Sequence, residues 1–407
     1  MKHCRHSRLI VLIAVAISLC PSPLLAQERT LDEFKEELLN RFHNGGSPLR
    51  TPEMKLEEVQ QVLSRLTSLD RDLWAREWSA VGEPYEKKGG ELAKAGRIKE
   101  ALEAYGVAFA YYRAARYPVD NTPGKKEAYR KYIRVFLAMA KYFDPPLERV
   151  TIPFEGARGK EIVGYLRLPT GVTKPPVVIN WGGTDSRKED RSRSDDGFLA
   201  EGWASFTTDI PGTGESPIFA TVDGEKVFSR IIDYLQQRPD VDGSRLAVQG
   251  NSWGGYWAVK LAYVERERIL AAVNICGPVH DYFQPEWQRK SLQTREYLMD
   301  LFAARSALYN VTTLDAYLTE AAKRSLKTLG ILGKPSAPLL SINGKLDSQV
   351  PISDLYILME EGTPKMAWVN PEGGHGGRGP NAGNRDRDVI IPWLRTYLSG
   401  SGDRAGR

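Results

Sequence analysis

Apolar positions follow a helical period through the first third of the chain and take on strand texture near residue 147. Leu31, Phe34, Leu38, Leu39 and Phe42 share one face of a helix predicted over 31–44, and Gly45-Gly46-Ser47-Pro48 ends it. Thr51-Pro52 predicts the start of a second helix, with Pro at an early helical position. A third helix runs through Trp74 and Trp78. A fourth, rich in Ala, Tyr and Phe, covers 98–116, and a fifth covers 125–143 before Pro145-Pro146 stops it. Residues 27–146 therefore read as an all-helical domain.

Beyond 147, residues 149–154 and 162–168 alternate apolar and polar like an antiparallel pair. Short apolar runs then recur at 177–181, 204–208, 246–249, 271–276, 339–343 and 367–370, with helical segments between most of them. This order predicts an α/β fold: a mostly parallel, doubly wound sheet with helices on both faces, over residues 147–400. The stretch from Cys276 to Pro338 is too long for one crossover, so a helical insertion is predicted at about 284–335.

The N-terminus has a different texture. Lys2, Arg5 and Arg8 precede an apolar run from Leu9 to Leu19, and Pro21, Ser22, Pro23 and Ala26 follow. Residues 1–26 read as a signal peptide, placing the mature protein in a secreted or periplasmic location. The run falls short of the roughly 20 residues a membrane span needs, so no span is expected in the mature protein. An uncleaved anchor is the alternative; a lipid anchor at Cys20 is disfavoured because Leu19 is not small. Loss of this segment lowers the formal charge from +5 to +2, which gives no electrostatic case for nucleic acid. It also leaves Cys276 as the one cysteine, which excludes an internal disulfide.

Candidate chemistry begins at Gly250-Asn251-Ser252-Trp253-Gly254. This G-x-S-x-G follows an apolar strand and precedes a helical segment, the context in which a sharp turn lifts a serine hydroxyl clear of the backbone. Such a serine needs a base, and the base needs an acid, in the chain order Ser, Asp or Glu, His. Of five histidines, only His375 lies late enough, in a glycine-rich loop after the last strand. Asp347 follows the preceding strand and is the candidate acid, with Asp281 as fallback. An oxyanion needs N–H donors. Trp253, next to the serine, supplies one; Gly183 or Thr184, in the Gly182-Gly183-Thr184 loop, supplies the other. The loop 209–216 is expected to shape the floor of the site. Histidine pairs at metal-ligand spacing are absent, one cysteine cannot build a zinc cage, and Gly212-Thr213-Gly214 lacks a dinucleotide fingerprint, so neither metal nor cofactor is expected.

These residues resemble the α/β-hydrolase superfamily over about 148–400. The likeness sharpens for a helical-capped subgroup: fermentation-respiration switch esterase-like proteins, dihydroxypseudooxynicotine hydrolases and yellowish-green pigment (heptaketide) hydrolases. It is carried by residues 111–118, 182–189, 250–255 and 277–285, and with the cap it spans nearly all of the mature chain. The resemblance implies a cofactor-free serine hydrolase that cuts an ester, or a C–C bond next to a carbonyl, in a small aromatic or polyketide-like substrate. A signal peptide departs from the cytosolic members and puts a pigment-pathway role in doubt. A carbon leaving group needs help departing as an enolate, and His280, Asp281 or Glu286 could supply a polar contact. Some cap aromatics, among Trp74, Trp78, Tyr105, Phe109, Tyr111 and Tyr112, are expected to line an apolar pocket. A secreted peptidase, or a non-catalytic binding protein on this fold, is the alternative, and a homodimer stays open.

Overall fold

The computed structural model describes residues 29–44, 52–192, 195–360 and 365–399. The segment read as a signal peptide lies outside these. Five helices lead: α1 (Leu31–His43), α2 (Leu56–Arg65), α3 (Arg71–Lys94), α4 (Ile98–Ala115) and α5 (Pro123–Ala140). Local chemistry starts several of them. Thr30 accepts from the Glu33 N–H while the Glu33 carboxylate accepts from the Thr30 N–H, a capping box. Asp70 accepts from the Leu73 N–H at 2.6 Å to cap α3, and Thr122 caps α5 ahead of Pro123. The second helix differs from expectation. Pro52 sits in a turn and α2 begins only at Leu56, because buried Met54 joins the cap core and leaves Lys55 extended.

The helices build two cores. Phe34, Leu38, Val59, Trp74, Trp78 and Tyr111 belong to one. Tyr105, Phe109, Tyr112, Tyr132 and Phe136 belong to the other, which also takes in Tyr165 from the sheet. That shared tyrosine seats the helical layer on the following domain.

Eight strands follow: β1 (Leu147–Gly156), β2 (Gly159–Arg167), β3 (Val177–Trp181), β4 (Ala204–Thr208), β5 (Leu246–Asn251), β6 (Ala271–Ile275), β7 (Leu339–Gly344) and β8 (Lys365–Asn370). Their order is β1-β2-β4-β3-β5-β6-β7-β8. The β1–β2 and β2–β4 pairs are antiparallel and the remaining pairs parallel. Among the intervening helices, α6 (Lys188–Ser192) and α7 (Asp196–Ala200) follow β3, α8 (Lys226–Gln237) follows β4, and α9 (Trp253–Val264) follows β5. Successive strand side chains point to opposite faces. Val177, Ile179, Leu246 and Val248 pack on one face with Phe228, Ile231 and Trp257 of α8 and α9. Val178, Ala247, Val273 and Leu340 pack on the other with Phe198 and Trp203, and with Leu394 from the final helix. Burial on both faces explains why these strands read as unbroken apolar runs.

Between β6 and β7 lie α10 (Pro285–Leu292), α11 (Leu301–Ala307) and α12 (Leu314–Ala322). The loop joining α10 to α11 reaches the cap. Leu298 and Met299 enter the first cap core, and Tyr297 packs on Tyr117 at 5.9 Å between centroids. Asp300 accepts from buried Lys125 Nζ at 2.8 Å and pairs with Arg71 at 2.8 Å. After β7, α13 (Ile352–Glu360) precedes β8, and α14 (Ile391–Leu398) closes the described chain. No helix among the described residues is long and apolar enough to cross a membrane.

Candidate active site

Ser252 occupies the turn between β5 and α9 with φ 55° and ψ −129°, a conformation L-residues rarely adopt. Neighbours impose it. Its N–H donates to Ile275 O at 2.7 Å, and its own carbonyl accepts from Gly255 N–H at 2.7 Å. A Cβ at Gly254 would lie 2.2 Å from Gly182 O and 2.5 Å from Trp181 Cδ1, so no side chain fits there. The crowded turn leaves the hydroxyl pointing outward.

His375 stands in the loop after β8 and Asp347 in the turn after β7. The imidazole Nε2 lies 2.8 Å from Ser252 Oγ, and Nδ1 lies 2.8 Å from Asp347 Oδ2. Asp347 Oδ1 accepts from the N–H groups of Gln349 at 2.8 Å and Val350 at 3.1 Å. The three side chains, distant in sequence, thus form one line, and the fallback Asp281 takes no part in it. Burial disfavours the Asp347 charge, but His375 and the two N–H donors outweigh it and hold the carboxyl below its usual range. For His375, burial works against the cation, yet the Asp347 carboxylate prevails and raises the imidazole well above 6.5. Cys276 Sγ lies 3.5 Å from the same Nε2. The Cys276, Asp347 and His375 donor atoms lie within 4.8 Å of one another, the one such cluster among the described residues, though both imidazole nitrogens already face protein partners. Sequence reasoning used Cys276 only to exclude a disulfide; its position directly after β6 was the available signal.

Trp253 is the first residue of α9, so its N–H has no partner within the helix. A Cβ on Gly183 would fall 2.7 Å from Ser252 Cβ, which measures how closely the 182–184 loop approaches the serine. These two backbones flank the hydroxyl. Beneath the loop lies a buried ionic knot: Lys188 Nζ contacts Glu189 at 2.8 Å, Asp209 at 3.0 Å and Glu215 at 2.6 Å. Asp209 also accepts the Lys188 N–H at 2.9 Å. The 209–216 segment is therefore tied to Lys188, just after the 182–184 loop, and does not floor the cavity. Its Gly212-Thr213-Gly214 instead borders a separate space of about 470 Å³ under the cap.

The cavity that opens on Ser252 and His375 measures about 950 Å³. Its walls mix apolar surface with many charged side chains. Glu37, Arg41 and Arg113 come from the cap, Arg295 and Glu296 from the insertion, and Arg378 and Arg385 from the His375 loop; Tyr117 and Tyr297 are its aromatic members. This corrects the expected apolar pocket. Trp74, Trp78, Tyr105, Phe109, Tyr111 and Tyr112 are all spent on the two cap cores. It also corrects the expected contacts from His280, Asp281 and Glu286, none of which borders the cavity. Buried Asp354 accepts the N–H groups of Val279, His280, Asp281 and Tyr282 and pulls that segment towards α13. The His280 ring turns to Ser325 Oγ at 2.7 Å, and Glu286 is exposed. On its inner side Ser252 meets only about 10 Å³ of space, bounded by Thr184, Trp253, Tyr282 and Arg305 among others.

The family described as esterase FrsA-like matches residues 60–363. The chain belongs to the FrsA-like esterase family. That makes it an enzyme of the α/β-hydrolase class, with the helical cap that the resemblance implied. Esterase FrsA from Vibrio vulnificus (strain YJ016) is 31% identical over 321 residues, which cover 73% of this chain and 74% of that relative. The α/β hydrolase ucsC from an Acremonium species is 29% identical over 266 residues, covering 56% of this chain and about half, 52%, of the relative. Among solved structures, a 2,6-dihydroxy-pseudo-oxynicotine hydrolase shares the fold with a TM-score of 0.71 at 22% identity, covering 85% of this chain and 93% of its own. AbyA5 gives 0.69 at 21% identity, with 92% and 96% covered. The family match ends before His375, so the geometry alone brings that residue to the serine.

Proposed function

We propose that this FrsA-like protein hydrolyses a small ester or ketonic molecule through an acyl-enzyme on Ser252. The observation that carries the reading is the line from Ser252 Oγ to His375 to Asp347, with 2.8 Å at each link. His375 takes the hydroxyl proton as Oγ attacks the substrate carbonyl. The N–H groups of Trp253 and of Gly183 or Thr184 hold the developing oxyanion. His375 then protonates the leaving group, and water, activated by the same imidazole, releases the acid. Asp347 keeps the ring oriented and favours its cation.

The inner space of about 10 Å³ has room for about one water, so it suits the oxyanion and no bulky group. Acyl and leaving groups both extend into the large cavity. An alkoxide leaves with one proton from His375. A carbon leaving group departs as an enolate, which requires a second carbonyl on the substrate. The resemblance of residues 111–118 and 277–285 to the dihydroxypseudooxynicotine hydrolases supports including ketonic substrates. The basic, then apolar, then small-residue pattern of residues 1–26 supports action outside the cytosol.

A panel of aryl esters, 1,3-diketones and dipeptidyl anilides, run on purified protein beside Ser252→Ala, tests this. Hydrolysis of an ester or diketone, lost by at least about 10³-fold in the variant, is expected. An unchanged rate removes Ser252 from the reaction; cleavage confined to the anilides makes the protein a peptidase.

A further inference from the structure

The cavity wall beside His375 carries two arginines, Arg378 and Arg385, with the carboxylate of Asp386 on the same segment. Arg41 and Arg113, from the cap, are each neutralised: Arg41 by Glu37 at 2.7 Å and Arg113 by Asp190 at 2.9 Å. Arg378 and Arg385 differ. Both border the cavity with Ser252 and His375, and among the described residues neither forms an ion pair. Arg385 is half-buried, and one of its N–H groups donates to the carbonyl of Gly376, the residue after His375. Its guanidinium is thereby fixed over the imidazole loop. Burial acts against its charge first, and the Arg378 charge second; Cys276 and then Asp386 offset this only in part. Arg378 lies exposed beside it. A half-buried guanidinium without a carboxylate partner is costly unless an anion joins it. Guanidinium is also the side chain suited to gripping an oxyanion group with two parallel hydrogen bonds.

We propose that Arg378 and Arg385 form an anion subsite, so that the preferred substrate carries a carboxylate or phosphate group a short distance from the carbonyl that Ser252 attacks. The inference rests on the serine-hydrolase reading and specifies its substrate class. The charged side chains around the cavity agree with it.

The test uses three p-nitrophenyl esters of equal acyl length: one with a methyl end, one with a terminal carboxylate and one with a terminal phosphate. In the wild type, kcat/KM for one of the anionic esters is expected to exceed that for the methyl ester by about 10- to 100-fold, as charge-assisted hydrogen bonds would give. The better of the two identifies the anion. In Arg378→Gln and Arg385→Gln the preference falls towards one, mainly through KM, and Arg378→Lys restores part of it. Labelling of Ser252 by a fluorophosphonate in each variant checks that the His375 loop is still in place. Equal kcat/KM for all three esters in the wild type, or an unchanged ratio in both Gln variants, overturns the subsite. No turnover of any ester together with no labelling would bring down the hydrolase reading itself, and the subsite with it.

Discussion

Replacing Gly183 with Ala tests how tightly the oxyanion loop is fitted to the nucleophile. The added methyl would stand 2.7 Å from Ser252 Cβ, 3.1 Å from Asn251 O and 3.2 Å from Ser252 Oγ. Carbon atoms rest at about 3.5–4.0 Å, so the overlap is on the order of 1 Å. Something has to retreat. The serine turn cannot, because the Ser252 N–H is bonded to Ile275 O and its carbonyl to the Gly255 N–H, each at 2.7 Å. The 182–184 loop must therefore withdraw, taking its N–H donor away from the oxyanion. Loss of one such donor costs about 10²–10³ in kcat, or about 2.7–4 kcal/mol. Overpacking adds about 1–3 kcal/mol of destabilisation, which thermal unfolding reads separately. Steady-state kinetics on the best ester should show the fall in kcat with KM little changed. A Gly183→Ala enzyme that keeps kcat within about threefold of wild type, while folded, refutes the placement of the donor.

Three further outcomes follow from the ionic contacts. Since His375 must be neutral to take the serine proton and its pKa is held above 6.5, the rate should rise with pH through a limb above that value. Asp347→Asn removes the carboxylate responsible, so kcat should drop by about 10⁴ and the residual limb move to lower pH; a limb that stays put would show that another group sets it. Lys125→Met strips a fully buried cation from Asp300, leaving Arg71 to neutralise it. Unfolding experiments should show a loss of about 3 kcal/mol, the low end for a broken buried pair, and no loss would mean the Lys125–Asp300 contact contributes nothing.

The serine and its partners were legible because their signals are local or ordinal. A strand, a glycine-bounded serine and a helix occupy a short window, and chain order leaves His375 as the single eligible base. The parallel strands were legible because burial on both faces makes them apolar without interruption. The cavity wall was not. Its charged members come from α1, α4, the segment leading into and through α6, the insertion loop and the His375 loop, and no spacing rule links Arg41 to Arg295 or Arg385. Aromatic content in the cap misled for a related reason: composition shows that Trp78 and Tyr111 will be buried, but not against what. The stretch around His280 misled because its orientation is dictated by Asp354, far along the chain. The late start of α2 likewise depends on where Met54 finds its cavity in the cap.

The first helix is part of the reaction chamber as well as of the cap. Arg41 spans the join by donating to the carbonyls of Arg295 and Glu296, so α1 and the insertion loop enclose the same space. Proteolytic trimming that removed α1 would spare the nucleophile, its base and its acid, yet leave the chamber open along one flank. A shortened enzyme of that kind should accept bulkier molecules and discriminate poorly among them, its chemistry outliving its selectivity.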